Sequence, residues 1–220
     1  STHTNVQRKP EWLKTRLNTN RNYKQVRKPL RSGSLTTVCE EAQCPNIHEC
    51  WGNHKTATFM ILGDTCTRRC RFCAVKTGLP GAVDWGEPQR LADTVKDMGL
   101  DHVVITMVNR DDLRDGGAEV MAATIEAIRK TAPGVTSEVL SSDLMGRKES
   151  IAVLADSRPE IISHNIETVR RLTPIVRSRS DYQRSLSFLK TAKELDRGAV
   201  IKSSMMLGLG ETRDEILASM

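Results

Sequence analysis

The sequence predicts an α/β domain built on a parallel sheet and preceded by a cysteine-bearing extension. Two observations carry this. From residue 56 onward, five short apolar runs rich in β-branched residues alternate with stretches of helical periodicity. All six cysteines fall between residues 39 and 73. Strands alternating with helices at this spacing make βαβ units, which hold ligands at the carboxyl ends of the strands.

The elements follow in order. Residues 1–35 are polar, basic and weakly periodic, and read as an arm with one short helix near 11–17. Residues 36–55 read as loop and turn, with Pro45 as a breaker. TATFMILG (56–63) is the first buried-strand signal. HVVITMV (102–108), VTSEVLS (135–141), EIISHNI (160–166) and AVIKSSMML (199–207) are the others. Helical patterns cover 88–98, 117–130, 147–155 and 181–195; in the second, Met121, Ile125 and Ile128 share one face. ETRDEILASM opens like a helix, with Thr212 and Glu215 spaced as a capping box. An open doubly wound sheet and a barrel both fit this order. In either, GDTCTRRCRFC, NRDDLRDGG, HNIET and GLGET sit at strand ends, on the functional side.

The chain has 220 residues, 38% of them hydrophobic and 27% charged, which suits one sizeable core. No apolar run approaches the ~20 residues of a membrane helix. No secretory signal pattern opens the chain. The net charge is +6, and the basic residues from Arg8 to Arg31 face a single acid, Glu11. A solvated arm, an acidic protein partner and nucleic acid are the readings of such a segment. Aromatic interleaving is thin (Trp12, Tyr23), so a single-strand stacking platform is poorly supported.

Cys39, Cys44 and Cys50 are spaced Cys-x4-Cys-x5-Cys, and Cys66, Cys70 and Cys73 are spaced Cys-x3-Cys-x2-Cys. A disulfide framework does not suit an α/β domain without a secretory signal. Structural zinc asks for four ligands in closely spaced pairs, so three plus three is an awkward count, although His48 or His54 would complete a set. Iron–sulfur clusters are held by thiolates at short spacings. Three thiolates leave one iron of a four-iron cluster open to bind and activate a ligand.

Cys-x3-Cys-x-aromatic-Cys after a first strand resembles the signature of radical S-adenosylmethionine enzymes, with Phe72 as the aromatic residue. TVCEEAQCPNIHECW followed by ATFMILGDTCTRRCRFCAVKTGLP resembles, more narrowly, the lipoyl synthase family. EPQRLADTV, NRDDLRDGG, HNIETVRRLTPIVR and KSSMMLGLGET continue the likeness in the family's order. The resemblance implies a partial (β/α)6 TIM-like barrel (residues 56–220) behind a basic arm and auxiliary-cluster loop (residues 1–55). It also implies that the last strand and C-terminal segment of the family are absent. In the family that segment supplies a serine as fourth ligand to the second cluster, so the chain alone is expected to make no lipoyl product.

The resemblance further implies two [4Fe–4S] clusters and S-adenosylmethionine. Cys66, Cys70 and Cys73 would hold the cluster that cleaves S-adenosylmethionine to methionine and a 5′-deoxyadenosyl radical. That radical would take hydrogens from C6 and C8 of a protein-bound octanoyl chain. Cys39, Cys44 and Cys50 would hold an auxiliary cluster consumed as the sulfur source. Asn165 and Glu167 would meet the ribose hydroxyls, Arg177 the methionyl carboxylate and Thr106 the methionyl end, with Phe72 a further cofactor-binding residue. Lys202 and Ser203 would line the cavity; His164 reads as a structural histidine, His102 as a strand-start residue, and Gly208-x-Gly210 as a tight turn. The implied partners are octanoylated carriers (lipoyl domains of dehydrogenase complexes, the glycine cleavage H protein), a low-potential electron donor and an iron–sulfur cluster carrier. Neither nucleic acid nor membrane is expected. The implied location is the cytoplasm of a bacterium, or an organellar matrix in a eukaryote. The sequence departs from the family pattern at Asn109, where the family has aspartate, at Met107, where it has serine, and in LSSDLMG (140–146).

Overall fold

The five apolar runs become neighbouring strands of one sheet in the computed structural model, which describes residues 11, 20–30, 37–41, 44–196 and 198–220. The strands are β1 (Thr56–Ile61), β4 (His102–Met107), β5 (Thr136–Leu140), β6 (Ile161–Ser163) and β7 (Val200–Lys202), all parallel. Two short strands, β2 (Thr65–Cys66) and β3 (Lys76–Thr77), form a separate parallel pair inside the cysteine loop. The sheet order is β1-β4-β5-β6-β7, so every crossover adds its strand on the same side. A doubly wound sheet would reverse direction at a switch point; sequential addition is the order of a β/α barrel. The fold is thus a partial barrel.

Alternation along the strands separates two faces. In β1, Ala57, Phe59 and Ile61 are buried, and in β4 so are Val103, Ile105 and Met107. This face meets α4 (Glu87–Met98), α5 (Ala118–Thr131), α6 (Lys148–Asp156) and α8 (Tyr182–Leu195). Leu91, Val95, Met121, Ile125, Leu154 and Phe188 fill the contact. Fully burying a side chain of this size contributes about 1.5–3 kcal/mol. On the other, concave face the register aligns Met60, Thr106, Leu140, Ser163 and Lys202 in one row.

The helices begin and end where the chain chemistry asks. Pro88 sits in the first turn of α4, and Gly99 closes it at φ 62°, a left-handed conformation glycine adopts without strain. Asp181 caps α8 by accepting from the Arg184 amide at 2.6 Å. Thr212 and Glu215 form the expected capping box of α9 (Arg213–Ser219).

The extension differs from the expectation. Residues 36–55 are not only loop and turn: they contain α2 (Val38–Glu41) and α3 (Ile47–Gly52). Pro45 lies in the turn before α3, where it interrupts no helical hydrogen bond. Upstream, α1 (Arg21–Leu30) is a helix the weak periodicity did not suggest. It is held by buried Val26, by Asn20 and Asn22 side chains donating to the Gly52 carbonyl at 2.9 and 3.1 Å, and by Tyr23 stacked on His48. Val26 and fully buried Trp51 join the barrel's own core. Beside β1, Thr37 bridges Phe59 in antiparallel fashion and covers that edge. The helix expected near 11–17 and most of the basic arm lie outside the described residues. Two expected strands are shorter than their apolar runs: β6 covers three residues and β7 three. No helix among the described residues is long and apolar enough to cross a membrane.

Candidate active site

A cavity of about 370 Å³ opens at the carboxyl ends of β1, β4, β5 and β6. Cys66, Cys70, Phe72, Cys73, Thr106, Asn165, Glu167 and Arg177 all line it. Residues as far apart in the chain as Cys66 and Arg177, 111 positions, therefore share its lining. Lys202 and Ser203 do not line it. Lys202 instead donates to both oxygens of Glu138 at 2.9 Å, and the Ser203 hydroxyl accepts from the Ile166 amide at 3.3 Å. Burial alone would raise the Glu138 pKa, but hydrogen bonds from His102, Lys202 and Ser163 bring it down to about 2.

Backbone pairing shapes the cysteine loop. The β2–β3 ladder and a Gly78 amide donating to the Cys66 carbonyl at 3.0 Å close its base. The Asn109 amide donates to the Cys66 sulfur at 3.3 Å and the Asn109 side-chain amide at 3.6 Å, with the Arg68 amide at 3.5 Å. Cys70 bridges Arg177, and the Arg71 amide donates to the Val176 carbonyl at 2.9 Å. Burial pushes the Cys70 thiol up; Arg177 pulls it down, and Cys73 and Cys66 push it up again.

Deep in the wall, His164 bonds through Nδ1 to the Ser141 carbonyl at 2.9 Å and through Nε2 to the Ser185 hydroxyl at 2.8 Å. A carbonyl only accepts, so Nδ1 carries the proton and Nε2 accepts. Burial lowers the His164 pKa to about 4, which keeps it neutral and structural. Glu167 stands at φ 63°, held by its amide donating to Ser204 and its carbonyl accepting from Met206. A non-glycine residue there stores about 1–3 kcal/mol, the kind of strain that collects at functional sites. Burial pushes the Glu167 carboxyl up, against the hydrogen bond from Asn165 and the charge of Arg177. Arg177 Nη1 donates to the Ile166 carbonyl at 3.2 Å, while its buried Nε has no hydrogen-bond partner among the described residues.

The sequence reading missed one element of the site. Arg68, between the cluster-motif cysteines, donates to Asp111 at 2.7 and 2.6 Å and to Asp143 at 2.8 and 2.7 Å. Arg184 adds a bond to Asp143 at 2.8 Å. Burial raises the Asp143 pKa, yet Arg68 and then Arg184 hold it well below the carboxylate range. The only signal available was charge placement: arginines in the cysteine loop and aspartates in NRDD and LSSD, all at strand ends.

The other triad sits on the flank of β1. Cys39 lies in α2, Cys50 in α3, and the Cys44 amide donates to the Cys39 carbonyl at 3.0 Å. Burial pushes the Cys50 thiol up, and Cys39 and Cys44 add to the shift, so the three sulfurs feel one another. Val38, next to Cys39, lines the cavity. All six cysteines are free thiols, which rules out the disulfide framework. Among the described residues no three His, Cys, Asp or Glu side chains converge on one metal ion.

Residues 60–220 match the model of the radical SAM superfamily, and residues 1–44 match that of the N-terminal domain of lipoyl synthase. The lipoyl synthase of Oceanobacillus iheyensis is 62% identical over 97% of this chain and 68% of its own length. That of Geobacillus sp. WCH70 is 61% identical, covering 97% of this chain and 72% of its own. That of Bacillus cereus is 59% identical, covering 99% and 73%. Among solved structures, methylornithine synthase superposes with a TM-score of 0.59 at 13% identity, over 90% of this chain and 59% of its own. The cobalamin-dependent radical enzyme OxsB superposes at 0.53 and 13% identity, over 74% of this chain and 25% of its own. These two likenesses speak for the fold alone. Sequence, cavity and register agree with the family matches: the chain belongs to the lipoyl synthase family of radical S-adenosylmethionine enzymes.

Proposed function

We propose that the chain carries the radical and sulfur-donating machinery for sulfur insertion at C6 and C8 of a protein-bound octanoyl chain, with its two cysteine triads holding two clusters of different duty. The observation that carries this reading is the convergence of Cys66, Cys70, Cys73, Asn165, Glu167 and Arg177 on one cavity. The residues fit the groups they would hold. Three free thiols open onto the cavity, one already receiving N–H donors, and Arg177 Nε is a buried donor still lacking an acceptor. When bound, the two iron–sulfur groups supply an electron that cleaves S-adenosylmethionine to a 5′-deoxyadenosyl radical, and the sulfur that replaces two hydrogens.

The protein's part is to bind, orient and exclude. Arg177 offers its guanidinium to the methionyl carboxylate. Asn165 and Glu167 present amide and carboxyl groups to the ribose hydroxyls, which donate to the carboxyl oxygens. Apolar Met60, Phe72, Val75 and Leu140 keep water from a radical that would attack any nearby C–H bond. Val38, the neighbour of Cys39, lines the same cavity, and in this reading the Cys39, Cys44 and Cys50 triad approaches the acyl chain from that side, as sulfur transfer requires. The partners in this reading are an acidic octanoylated carrier domain, a low-potential electron donor and a cluster carrier. The basic segment 8–31 is the carrier's counterpart in charge.

An octanoylated peptide deuterated at C6 tests the reading under anaerobic conditions. Deuterium is expected to appear in 5′-deoxyadenosine, detected by mass spectrometry. Vigorous cleavage with no deuterium transfer would mean that this octanoyl chain is not the substrate.

A further inference from the structure

From Cys66 to Phe72 the cysteine loop has two faces, and successive residues alternate between them. Cys66, Arg68, Cys70 and Phe72 line the inner cavity. Thr67, Arg69 and Arg71 line two depressions on the outside, of about 550 and 380 Å³, which share Arg69 and Ser178. Arg179 completes the second and exposed Ile175 the first. The inner face is thus reserved for small molecules and the acyl chain. The outer face lies directly behind the cysteines of this loop.

Its charge is uncompensated. Arg68, facing inward, has two carboxylate partners, and Arg171 and Arg184 have one each. Among the described residues, no ion pair includes Arg69, Arg71 or Arg179. All three are exposed; Arg69 and Arg71 share their depression with Ile175, which is 53% exposed, and Arg179 lines the adjoining one. An apolar centre rimmed by arginines is the composition of a protein interface. The patch is also fixed in shape. The Ser178 hydroxyl donates to the Arg69 carbonyl, Arg179 Nη1 donates to the Thr67 carbonyl at 3.2 Å, and the Arg71 amide is tied to Val176.

We infer that this outer face docks an acidic, low-potential one-electron donor protein. The inference rests on the radical reading above. An electron must reach a cluster held by Cys70, and Cys70 lies between Arg69 and Arg71 in the chain, one loop's thickness from this surface. Entry from outside leaves the cavity free for substrate. In the step, the donor is oxidised by one electron and the cluster is reduced from the 2+ to the 1+ state, with no proton or bond changed.

The test is the Arg69→Glu/Arg71→Glu double variant in the cluster-loaded chain, with reduced flavodoxin as the donor probe. Oxidation of the flavodoxin is followed by stopped-flow absorbance, and its binding by calorimetric titration. At low salt, binding and electron uptake are expected to fall by at least about tenfold, because four units of charge reverse at the docking face. Cleavage of S-adenosylmethionine driven by dithionite, which needs no docking, should stay at the wild-type rate. The wild-type chain gives an independent check: its rate with flavodoxin should fall as salt rises. Unchanged flavodoxin kinetics in the variant, or a salt-independent wild-type rate, would overturn the inference. So would a variant impaired only in binding an octanoylated carrier domain, since the face would then serve the substrate protein. Absence of cleavage with dithionite in the wild type would instead defeat the radical reading itself.

Discussion

Arg68 grips Asp143 through two hydrogen bonds of 2.8 and 2.7 Å, across 75 positions of sequence. Both side chains are essentially inaccessible to water, at 2% and 0% exposure. The pair fastens the cysteine loop to the loop after β5, and Asp111 fastens it to the loop after β4. A buried pair of this kind gives little net stability over apolar packing, but breaking it is costly. Its value here is position: it fixes the loop whose thiols line the cavity.

Arg68→Ala should therefore leave Asp143 buried with Arg184 alone. The expected destabilisation is about 3–5 kcal/mol, a fall in Tm of about 6–20 °C for a chain of this size. Arg68→Lys should recover only part, because an ammonium cannot serve two carboxylates bidentately. Thermal unfolding of the three proteins, with iron content after reconstitution, checks this. Equal stability in all three would show that the network does not hold the loop.

Stability should also fall with acid in a definite window. The His164 pKa is lowered to about 4 in the folded chain, against ~6.5 unfolded. Between those values the unfolded state binds the extra proton, so stability is intact above pH ~6.5 and is lost as pH falls toward 4. The contribution is on the order of 3 kcal/mol. Urea unfolding from pH 4.5 to 7.5 should show this slope, and His164→Asn, which keeps a donor for the Ser141 carbonyl, should flatten it. An unchanged slope in the variant would place the titration elsewhere.

Asn109 gives a prediction for redox tuning. Its side-chain amide donates to the Cys66 sulfur, and such bonds stabilise a reduced cluster's extra negative charge. Asn109→Asp removes that donor and adds a carboxylate, leaving the backbone amide bond in place. The midpoint potential of the reconstituted chain, measured by redox titration with electron paramagnetic resonance, should become more negative. A potential that stays or rises would mean the side-chain bond has no influence on the cluster.

Much of this site was legible before the fold was known. The strands, and the fact that chemistry gathers at their carboxyl ends, follow from local periodicity and from where motifs interrupt it. The cavity residues from Cys66 to Arg177 come together because those motifs fall at strand ends. What was not legible is long-range or marginal. No local pattern tells which aspartates will face Arg68. The α1 helix is a polar segment whose described apolar contacts come from Val26 and Tyr23, so its hydrophobic signal is faint. Pro45 reads as a breaker, although it stands in a turn just before α3. Lys202 shares a row with cavity residues, but the acid that captures it, Glu138, comes from another strand.

The two triads should respond differently to loss of a thiol. Cys66→Ala, Cys70→Ala or Cys73→Ala should abolish formation of 5′-deoxyadenosine. Cys39→Ala, Cys44→Ala or Cys50→Ala should retain part of it, because those thiols stand outside the cavity. Chromatography of the reaction products decides, and equal loss in both sets would argue against separate duties.

Iron and acid-labile sulfide per chain test the central claim most directly. After anaerobic reconstitution, two four-iron clusters predict about eight irons and eight sulfides in the wild type. The Cys39/Cys44/Cys50→Ala and Cys66/Cys70/Cys73→Ala triple variants should each hold about four of each. Zinc without sulfide, or a wild type that holds no more iron than either triple variant, would contradict the account.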